Sequence, residues 1–307
     1  MKLQLLRYIS CPACHGRAFR VKIDRESGLE IEEGSLICKR CEATYPITRC
    51  IPRFVPSDSY VRSFSVEWNI FSRTQLDTGT DKDTHDTFAA KTGLDPEHLA
   101  GRVVLEAGCG MGRFLEIVSR NPTATVVGFD LSLAVEAAYQ NVGRRSNVHI
   151  VQADIMQPPF RSRVFDFIYS IGVIHHTCKP RSAFMNLVPL LKKRGQLSVW
   201  VYLRYKRPPL SDLYRIATTR MPWSMVLAIS RVMSKLYPLH SKWRYFQVLF
   251  PMSVLSDPER RVLDTFDWYS PKYQFKFTRE EVAAWFRDAG FVNIQLLSTP
   301  IAIRGSR

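Results

Sequence analysis

The chain has 307 residues, 46% of them hydrophobic and 12% aromatic, which is enough to bury a substantial core and argues against global disorder. No apolar run approaches the roughly 18–20 residues that span a bilayer, and no small-residue cleavage site follows the first residues, so we expect a cytoplasmic protein. The formal net charge of +15 indicates an anionic partner: nucleic acid, a phospholipid surface or a phosphate-bearing substrate.

The first predicted element is a metal-binding ribbon. Two CxxC knuckles, Cys11 with Cys14 and Cys38 with Cys41, flank a stretch whose turn at Gly28 indicates a hairpin. Four thiolates suit tetrahedral Zn²⁺, and they leave no open position for a substrate, so the ion is expected to be structural. A redox role for one CxxC pair is the alternative.

The residues around the second knuckle sharpen this prediction. The segments Leu36-Ile-Cys-Lys-Arg-Cys, Tyr45-Pro-Ile and Ile51-Pro-Arg-Phe-Val resemble the small zinc-ribbon family of methyltransferase activator subunits, over about residues 7–56. In that family the ribbon stabilises or activates a methyltransferase. The resemblance therefore implies a zinc-ribbon β domain at 1–56 that is fused to its catalytic partner.

An α/β domain is predicted after a helical connector at 57–100. Apolar strands alternate with helical stretches, as in a parallel sheet, and a strand at 102–107 runs into the glycine turn 108–112. Glycines at such a turn let the backbone approach a ligand closely. Two further strands end in Asp130 and Asp154. An acid at the second strand end can accept hydrogen bonds from a ribose, or it can cap the next helix.

The ordered segments VVLEAGCGMGRFLE, VVGFDLS, VQADIMQPPF, FDFIYSIGVIHHTCKP and KKRGQLSVWVY resemble class I S-adenosylmethionine-dependent methyltransferases, over residues 101–202. The resemblance implies a Rossmann-like seven-stranded sheet at 101–307, with six strands parallel and the last antiparallel, and S-adenosylmethionine as cofactor. It also implies cofactor contacts at the glycine turn and at the strand ends. The methionine would meet Glu106, Gly108, Gly110 and Gly112, the ribose Asp130 and Leu131, the adenine Asp154 and Ile155, and the transferred methyl Ser170 and Ile171.

Two histidines are the candidate catalytic residues. His175 and His176 follow the fourth strand, on the side where the acceptor is expected. An imidazole is a suitable base for a hydroxyl or an amine, and His176 is preferred for this role. The alternative is that one or both histidines orient the loop. The chain reads Ser-Ile-Gly-Val at 170–173, without the Asn-Pro-Pro-Tyr-type motif of base-amino methyltransferases, which argues against N6-adenine DNA methylation.

Residues 203–277 form an insertion that a minimal fold of this type does not need. Residues 204–250 contain nine Lys or Arg and a single acidic residue, Asp212. Apolar residues at helical spacing from Pro222 to Tyr237 predict an amphipathic helix. This basic lid would cap the acceptor pocket with its apolar face, or lie on an anionic membrane. Simple packing with a solvated basic face and RNA binding are the alternatives.

The predicted function is methyl transfer to an oxygen or nitrogen of a small-molecule, glycan or lipid-linked acceptor, with peripheral contact at the inner face of the membrane as an option. RNA is the second acceptor class, and a non-catalytic, cofactor-binding activator subunit is the third hypothesis. The segments 64–68 and 267–273 resemble parts of bacterial methyltransferases that carry the same ribbon. We expect them to close over the cofactor and acceptor, with Tyr269 and Tyr273 in the pocket.

Overall fold

An antiparallel four-stranded sheet forms the N-terminal part of the protein. The computed structural model describes residues 1–55, 62–77, 83–206 and 209–307. The strands of this first sheet are β1 (Phe19–Ser27), β2 (Glu30–Cys38), β3 (Thr44–Thr48) and β4 (Ile51–Pro52). The turn at Gly28 joins β1 to β2 with a φ of 62°, a conformation that glycine adopts at little cost. The predicted hairpin between the two knuckles is therefore confirmed.

A seven-stranded mixed sheet forms the centre of the larger part of the described chain. Its strands are β5 (Val103–Ala107), β6 (Thr125–Asp130), β7 (Val148–Gln152), β8 (Phe165–Ile171), β9 (Leu191–Trp200), β10 (Val292–Leu296) and β11 (Ala302–Ser306). They lie in the order β10-β11-β9-β8-β5-β6-β7. Only β11 runs antiparallel to its neighbours β9 and β10 within this sheet. The Rossmann-like sheet with one antiparallel strand is confirmed.

Helices cover both faces of this sheet. The α-helices of the described residues are α1 (Arg62–Ile70), α2 (Asp83–Thr92), α3 (Arg113–Val118), α4 (Ala134–Ala138), α5 (Pro180–Leu187), α6 (Leu210–Thr218), α7 (Trp223–Lys235), α8 (Tyr237–Lys242), α9 (Arg244–Leu249), α10 (Pro258–Tyr269) and α11 (Arg279–Asp288). Successive strand side chains point to opposite faces. Val104 therefore packs in one core with Phe88 of α2 and Leu115 of α3, whereas Leu105 shares the other core with Phe184 of α5.

The ribbon packs directly on the large sheet. The N–H of Phe54 donates to the carbonyl of Gln152 at the end of β7, at 2.8 Å. The guanidinium of Arg161 donates to the carbonyls of Leu6 and Ile9, at 2.7 and 2.9 Å. Ribbon side chains also lie in the same hydrophobic core as the sheet. The two parts therefore form one packed unit, and loss of ribbon structure should be felt in the sheet.

Acid is expected to destabilise the fold through His149, at the contact between the ribbon and β7. The side chain is buried beside the ring of Tyr8. Burial, and then the charge of Lys2, lowers the pKa of His149 from 6.5 to about 4. Between these values the unfolded chain binds a proton that the folded chain excludes. The unfolding free energy should therefore fall as the pH drops from 6.5 toward 4, by about 1.4 kcal/mol per pH unit for this group.

Chemical denaturation across that pH range should check this prediction. His149→Phe keeps an aromatic ring in the core and removes the titration, so its unfolding free energy should depend less steeply on pH than that of the wild type. His98→Gln, which replaces an exposed histidine, serves as the control and should keep the wild-type slope. Equal slopes for all three proteins would contradict the assignment.

The insertion at 203–277 forms α6 to α10, and within it α7 packs against α10. Val226 and Leu227 of α7 are buried with Leu263 and Phe266 of α10. None of the helices in the described ranges is long and apolar enough to span a bilayer. Arg207, one of the nine basic residues of the insertion, lies outside the described residues. Residues 56–61 and 78–82, in the expected connector and next to it, also lie outside them.

The apolar face predicted for α7 is only partly buried, and the buried part packs on α10. Most of α7 is apolar, and packing against α10 selects only the side that carries Val226 and Leu227, where the small Ser230 and Ser234 allow a close approach. The remaining apolar side chains of the predicted face are therefore left outside the core. Those exposed to solvent are Trp223, Met225, Ile229, Val232 and Leu236.

Candidate active site and metal centre

The turn after β5 brings backbone close to the carboxyl ends of the parallel strands. Glu106, the next-to-last residue of β5, is buried, and its Oε2 accepts a hydrogen bond from the Tyr169 hydroxyl at 3.0 Å. Burial raises the pKa of Glu106 well above its usual range. Gly108 has a φ of 84°, and an added Cβ would lie 2.4 Å from both methyls of Val173. Both its backbone conformation and the space around it therefore require glycine.

Asp130, at the end of β6, is held by donors from two loops. Its Oδ2 accepts a hydrogen bond from the N–H of Gly110 at 2.9 Å. Its Oδ1 accepts from the N–H and the hydroxyl of Ser132, at 2.8 and 2.7 Å. A carboxylate has about four lone-pair sites, so these bonds leave capacity for one more donor. Asp130 can therefore order the glycine turn and still accept a ribose hydroxyl.

The ends of β6 and β7 are tied to each other and to the ribbon. Gln152 donates through Nε2 to the carbonyl of Leu131 at 3.0 Å, and its Oε1 accepts from Arg53 of the ribbon at 2.8 Å. Asp154 accepts from the N–H of Met156 at 2.8 Å, which shapes the turn after β7. The ribbon thus supports the loop that follows Asp130 through a short chain of hydrogen bonds.

The two histidines after β8 differ in their surroundings. His176 places Nδ1 2.7 Å from the carbonyl oxygen of Tyr273. A carbonyl only accepts, so Nδ1 carries the hydrogen of the neutral ring and Nε2 is left as an acceptor. Burial lowers the pKa of His176 to about 4, which keeps the ring neutral at physiological pH. His175 is fully buried against the ring of Tyr202, at 4.0 Å between centroids, and neither of its nitrogens has a hydrogen-bond partner among the described residues.

A partly buried lysine lies near the same strand ends as the glycine turn. Nζ of Lys91, in α2, sits 3.5 Å from the centroid of the Trp200 ring at the end of β9. Burial, and then the charge of Arg113, lowers the pKa of Lys91 to about 8. Since the ammonium contacts an aromatic face, the cation–π attraction helps to keep it charged below that pH.

Acidic side chains of α1 and α10 lie close to one another. The hydroxyl of Tyr202 donates to Oδ2 of Asp267 at 3.0 Å, and burial raises the pKa of Asp267 to about 6. Glu67 is buried, and within the described part of the chain neither of its oxygens has a hydrogen-bond partner. Burial, reinforced by Asp267 and Asp264, raises the pKa of Glu67 well above its usual range. The neighbouring carboxyl groups of Glu67 and Asp267 are therefore harder to ionise than exposed carboxyl groups.

Many of these residues line one cavity of about 290 Å³. Most of the predicted cofactor residues and one histidine line it: Glu106, Gly108, Gly110, Asp130, Leu131, Asp154, Ile155, Ile171 and His176. Phe64, Trp68 and Asp267, from the two segments expected to close over the site, also line it.

The other predicted site residues lie behind the cavity wall. Gly112 donates through its N–H to the carbonyl of Cys109, and the Ser170 hydroxyl donates to the carbonyl of Ala107 at 2.9 Å. His175 is behind Tyr202, as described above. Tyr269 packs in the core between α7 and α10, and Tyr273 contributes its carbonyl to His176 rather than its ring to the cavity.

The two CxxC knuckles bring four sulfurs together. Sγ of Cys11 lies 3.6 Å from that of Cys41, and Sγ of Cys14 lies 3.5 Å from that of Cys38, with all four within 4.8 Å of one another. A tetrahedron with Zn–S bonds of about 2.3 Å has S–S edges of about 3.8 Å, so the cluster fits Zn²⁺. The N–H of Gly16 donates to Cys14 Sγ at 3.4 Å, which suits a thiolate. The cysteines form a potential zinc-binding site.

Family comparisons agree with both parts of the structure. Residues 105–199 match the family model described as a methyltransferase domain, and residues 2–49 match the one described as Trm112p-like protein. The chain joins a Trm112p-like domain to a methyltransferase domain. The methyltransferase domain has the sheet of S-adenosylmethionine-dependent methyltransferases, and the Trm112p-like domain carries the four-cysteine cluster.

Individual relatives match part of the chain. The chain is 35% identical over 101 residues to the malonyl-[acyl-carrier protein] O-methyltransferase of Legionella pneumophila, which covers 32% of this chain and 36% of that protein. It is 30% identical over 126 residues to the tRNA (carboxymethyluridine(34)-5-O)-methyltransferase of Arabidopsis thaliana, covering 38% and 30%. The chain spans about a third of the length of these relatives.

A solved structure is similar at low identity. The crystal structure of an S-adenosylmethionine-dependent methyltransferase from Aquifex aeolicus matches with a TM-score of 0.41 and 15% identity, covering 73% of this chain and 94% of that one.

Sequence analysis missed several side chains that line the cavity. Lys91, Trp200 and Asp264 line it, but they lie on α2, β9 and α10, far apart in the chain. No short motif links them. The only available signal was the segment at 267–273, whose first residue, Asp267, does line the cavity.

Proposed function

We propose that the protein is an S-adenosylmethionine-dependent methyltransferase that acts on an oxygen or nitrogen of its acceptor. The observation that carries the proposal is that one cavity is lined by the glycine turn and the strand-end acids together with His176, Lys91 and aromatic side chains. When bound, the cofactor supplies an electrophilic methyl group on a sulfonium. The residues present fit it, because they offer glycine backbone, a ribose acceptor in Asp130 and an apolar contact in Ile155.

Cofactor binding is the first prediction of this proposal. Asp130→Ala should weaken the binding of S-adenosylhomocysteine by roughly 1–3 kcal/mol, because it removes a ribose acceptor and releases the N–H of Gly110. Calorimetric titration of wild type and variant measures this directly, with NAD⁺ as the comparison ligand. Asp288→Ala, which removes an exposed acid that pairs with Arg181, is the control and should bind as the wild type does. Unchanged affinity in Asp130→Ala would mean that the site is elsewhere.

Near the acceptor, the residues of the chain accept a proton and position the acceptor. Nε2 of His176 is the free acceptor of a neutral ring, so it can take a proton from the acceptor hydroxyl or amine as the methyl is transferred. The hydrogen bond to the carbonyl of Tyr273 fixes the ring. Aromatic side chains from α1 and β9 line the cavity and exclude water, which favours transfer to the bound acceptor.

Two variants separate these contributions. His176→Asn can still donate to the carbonyl of Tyr273 but lacks the acceptor at Nε2, so kcat should fall by about 10²–10⁴ with S-adenosylhomocysteine affinity retained. His176→Gln places an amide oxygen closer to the Nε2 position and should lose less. Because the pKa of His176 is about 4, the wild-type rate should hold as the pH is lowered through 6.5. An acid limb at 6.5, or full activity in His176→Asn, would contradict the role as base.

We further propose that the acceptor is a small or lipid-linked molecule. A second cavity of about 510 Å³ shares Trp200, Tyr202 and Asp264 with the first as lining residues. It is lined largely by apolar and aromatic side chains, with Lys276 at its wall. An extended acceptor could place its reactive group near His176 and its remainder in this second space.

RNA is the competing acceptor class, favoured by the similarity to a tRNA methyltransferase. Incubation with a methyl-labelled cofactor and three separate pools, namely lipid extract, small polar metabolites and bulk tRNA, discriminates the classes. Label in the lipid or small-molecule pool supports the proposal, whereas label in tRNA overturns this acceptor assignment. Binding of S-adenosylhomocysteine with no label in any pool would favour the activator-subunit hypothesis.

A further inference from the structure

The outward face of α7 is a stripe of apolar side chains that do not pack in the core of the described residues. Met225, Ile229, Val232 and Leu236 are spaced i, i+4, i+7 and i+11, which places them on one side of the helix. Their exposed fractions are 51%, 41%, 59% and 42%. The opposite side of α7 already packs on α10, so this stripe makes no contribution to the core.

Large apolar side chains remain exposed beyond α7. Trp243 and Tyr245, around the start of α9, are 62% and 87% exposed, and Val248 and Leu249 at its end are 58% and 52% exposed. Among the described residues, most of the exposed large hydrophobic side chains lie between residues 205 and 255. Such a concentration marks a surface that binds a partner.

The charge of the same segment is strongly positive. Arg231 and Lys235 are exposed beside the stripe, and Lys242 is exposed before α9, and none of the three forms an ion pair with a described residue. The single acid, Asp212, is paired with Lys276. The cations of α7 and α8 are thus available to an anionic partner.

We propose that the outward face of α7, with the α8–α9 segment that follows it, docks on an anionic phospholipid bilayer. An apolar stripe bordered by lysine and arginine, with tryptophan and tyrosine nearby, inserts into the interface while the cations meet lipid headgroups. RNA would use the cations and the aromatic rings but not aliphatic side chains such as Ile229 and Val232. A second copy of the same face would bring like charges together. The inference goes beyond the proposed methyl transfer and does not depend on it.

Vesicle flotation of the full-length protein tests the proposal. Phosphatidylcholine vesicles that contain phosphatidylglycerol should carry the protein upward at low salt, and vesicles of phosphatidylcholine alone should carry much less. The triple variant Met225→Gln, Ile229→Gln, Val232→Gln keeps good helix formers in α7 and should lower the binding constant by about tenfold or more. Arg231→Gln with Lys235→Gln should lower it similarly, with a weaker dependence on salt.

Matched controls keep the result specific. Val292→Gln with Leu296→Gln removes two exposed apolar side chains from the edge strand β10, and it should float as the wild type does. S-adenosylhomocysteine titration of every variant checks the fold, and its failure in the wild type would concern the proposed function alone.

Three outcomes would overturn the proposal. In the first, the wild type does not float with phosphatidylglycerol. In the second, the α7 triple variant floats as well as the wild type. In the third, the α7 variants still bind vesicles as the wild type does, but they lose binding to bulk tRNA or lose self-association.

Discussion

Cys38→Ser should release the metal and unfold much of the protein. The zinc content should fall from one ion per chain to nearly none, since three thiolates and a hydroxyl no longer form a closed tetrahedral set. Zinc binding supplies about 10–16 kcal/mol to the folding of small zinc-finger peptides, and this ribbon is also small. We therefore expect the unfolding free energy to drop by several kcal/mol. Elemental analysis and chemical denaturation measure the two effects.

The same variant should also weaken the cofactor site. The ribbon shares a core with the large sheet, and Arg53 holds Gln152, which in turn holds the carbonyl of Leu131. Loss of the ribbon would free the loop that follows Asp130. S-adenosylhomocysteine affinity should therefore fall together with zinc content.

Cys178→Ser is the matched control, because Cys178 is exposed and lies outside the cluster. It should keep both the metal and the wild-type stability. A Cys38→Ser protein that retains a full equivalent of zinc would contradict the assignment of the four cysteines as ligands.

Gly108→Ala should abolish cofactor binding and reduce stability by several kcal/mol. A Cβ at this position would lie 2.4 Å from both methyls of Val173, and the φ of 84° is itself unfavourable for alanine. Relief of the overlap would require the glycine turn or the loop after β8 to move. The same turn donates to Asp130 through Gly110, so its displacement would disturb the ribose end of the site.

Gly101→Ala isolates the backbone contribution. Gly101 has a φ of 69°, but nothing lies within 4 Å of an added Cβ. Its replacement should cost only about 1 kcal/mol and leave S-adenosylhomocysteine binding intact. Thermal denaturation and titration of both variants give the comparison. Equal behaviour of the two variants would show that contact with Val173 is unimportant.

Local patterns were sufficient for much of the architecture. The CxxC spacing predicted the four-sulfur cluster, because each knuckle places two ligands within one turn of chain. The alternation of apolar strands and helices predicted a parallel α/β sheet, and the family resemblance implied its seven strands and the grouping of the glycine turn with Asp130 and Asp154, which line one cavity. In a parallel sheet the carboxyl ends of the strands lie at one edge, so residues at the ends of β5, β6 and β7 come together there although the seven strands do not follow one another in chain order across the sheet.

Side-chain direction was harder to predict than position. Ser170 and Ile171 are consecutive, yet Ile171 lines the cavity whereas Ser170 donates to the carbonyl of Ala107. His175 and His176 differ in the same way, because His175 packs against Tyr202 whereas His176 lines the cavity. Which neighbour faces the ligand depends on strand register and on the turn that follows, and neither is visible in a motif.

The sequence by itself predicted the four-cysteine cluster, the alternation of strands and helices, and the glycine turn with its strand-end acids, because those features depend on residues close together or on strand ends. Only the tertiary structure brought Lys91, Trp200 and Asp264 to the same cavity, because they lie on distant elements. It also decided that α7 buries Val226 and exposes Val232, since both sides of that helix are apolar. The periodicity of a helix shows which residues share a face, but the packing partner selects the face that is buried.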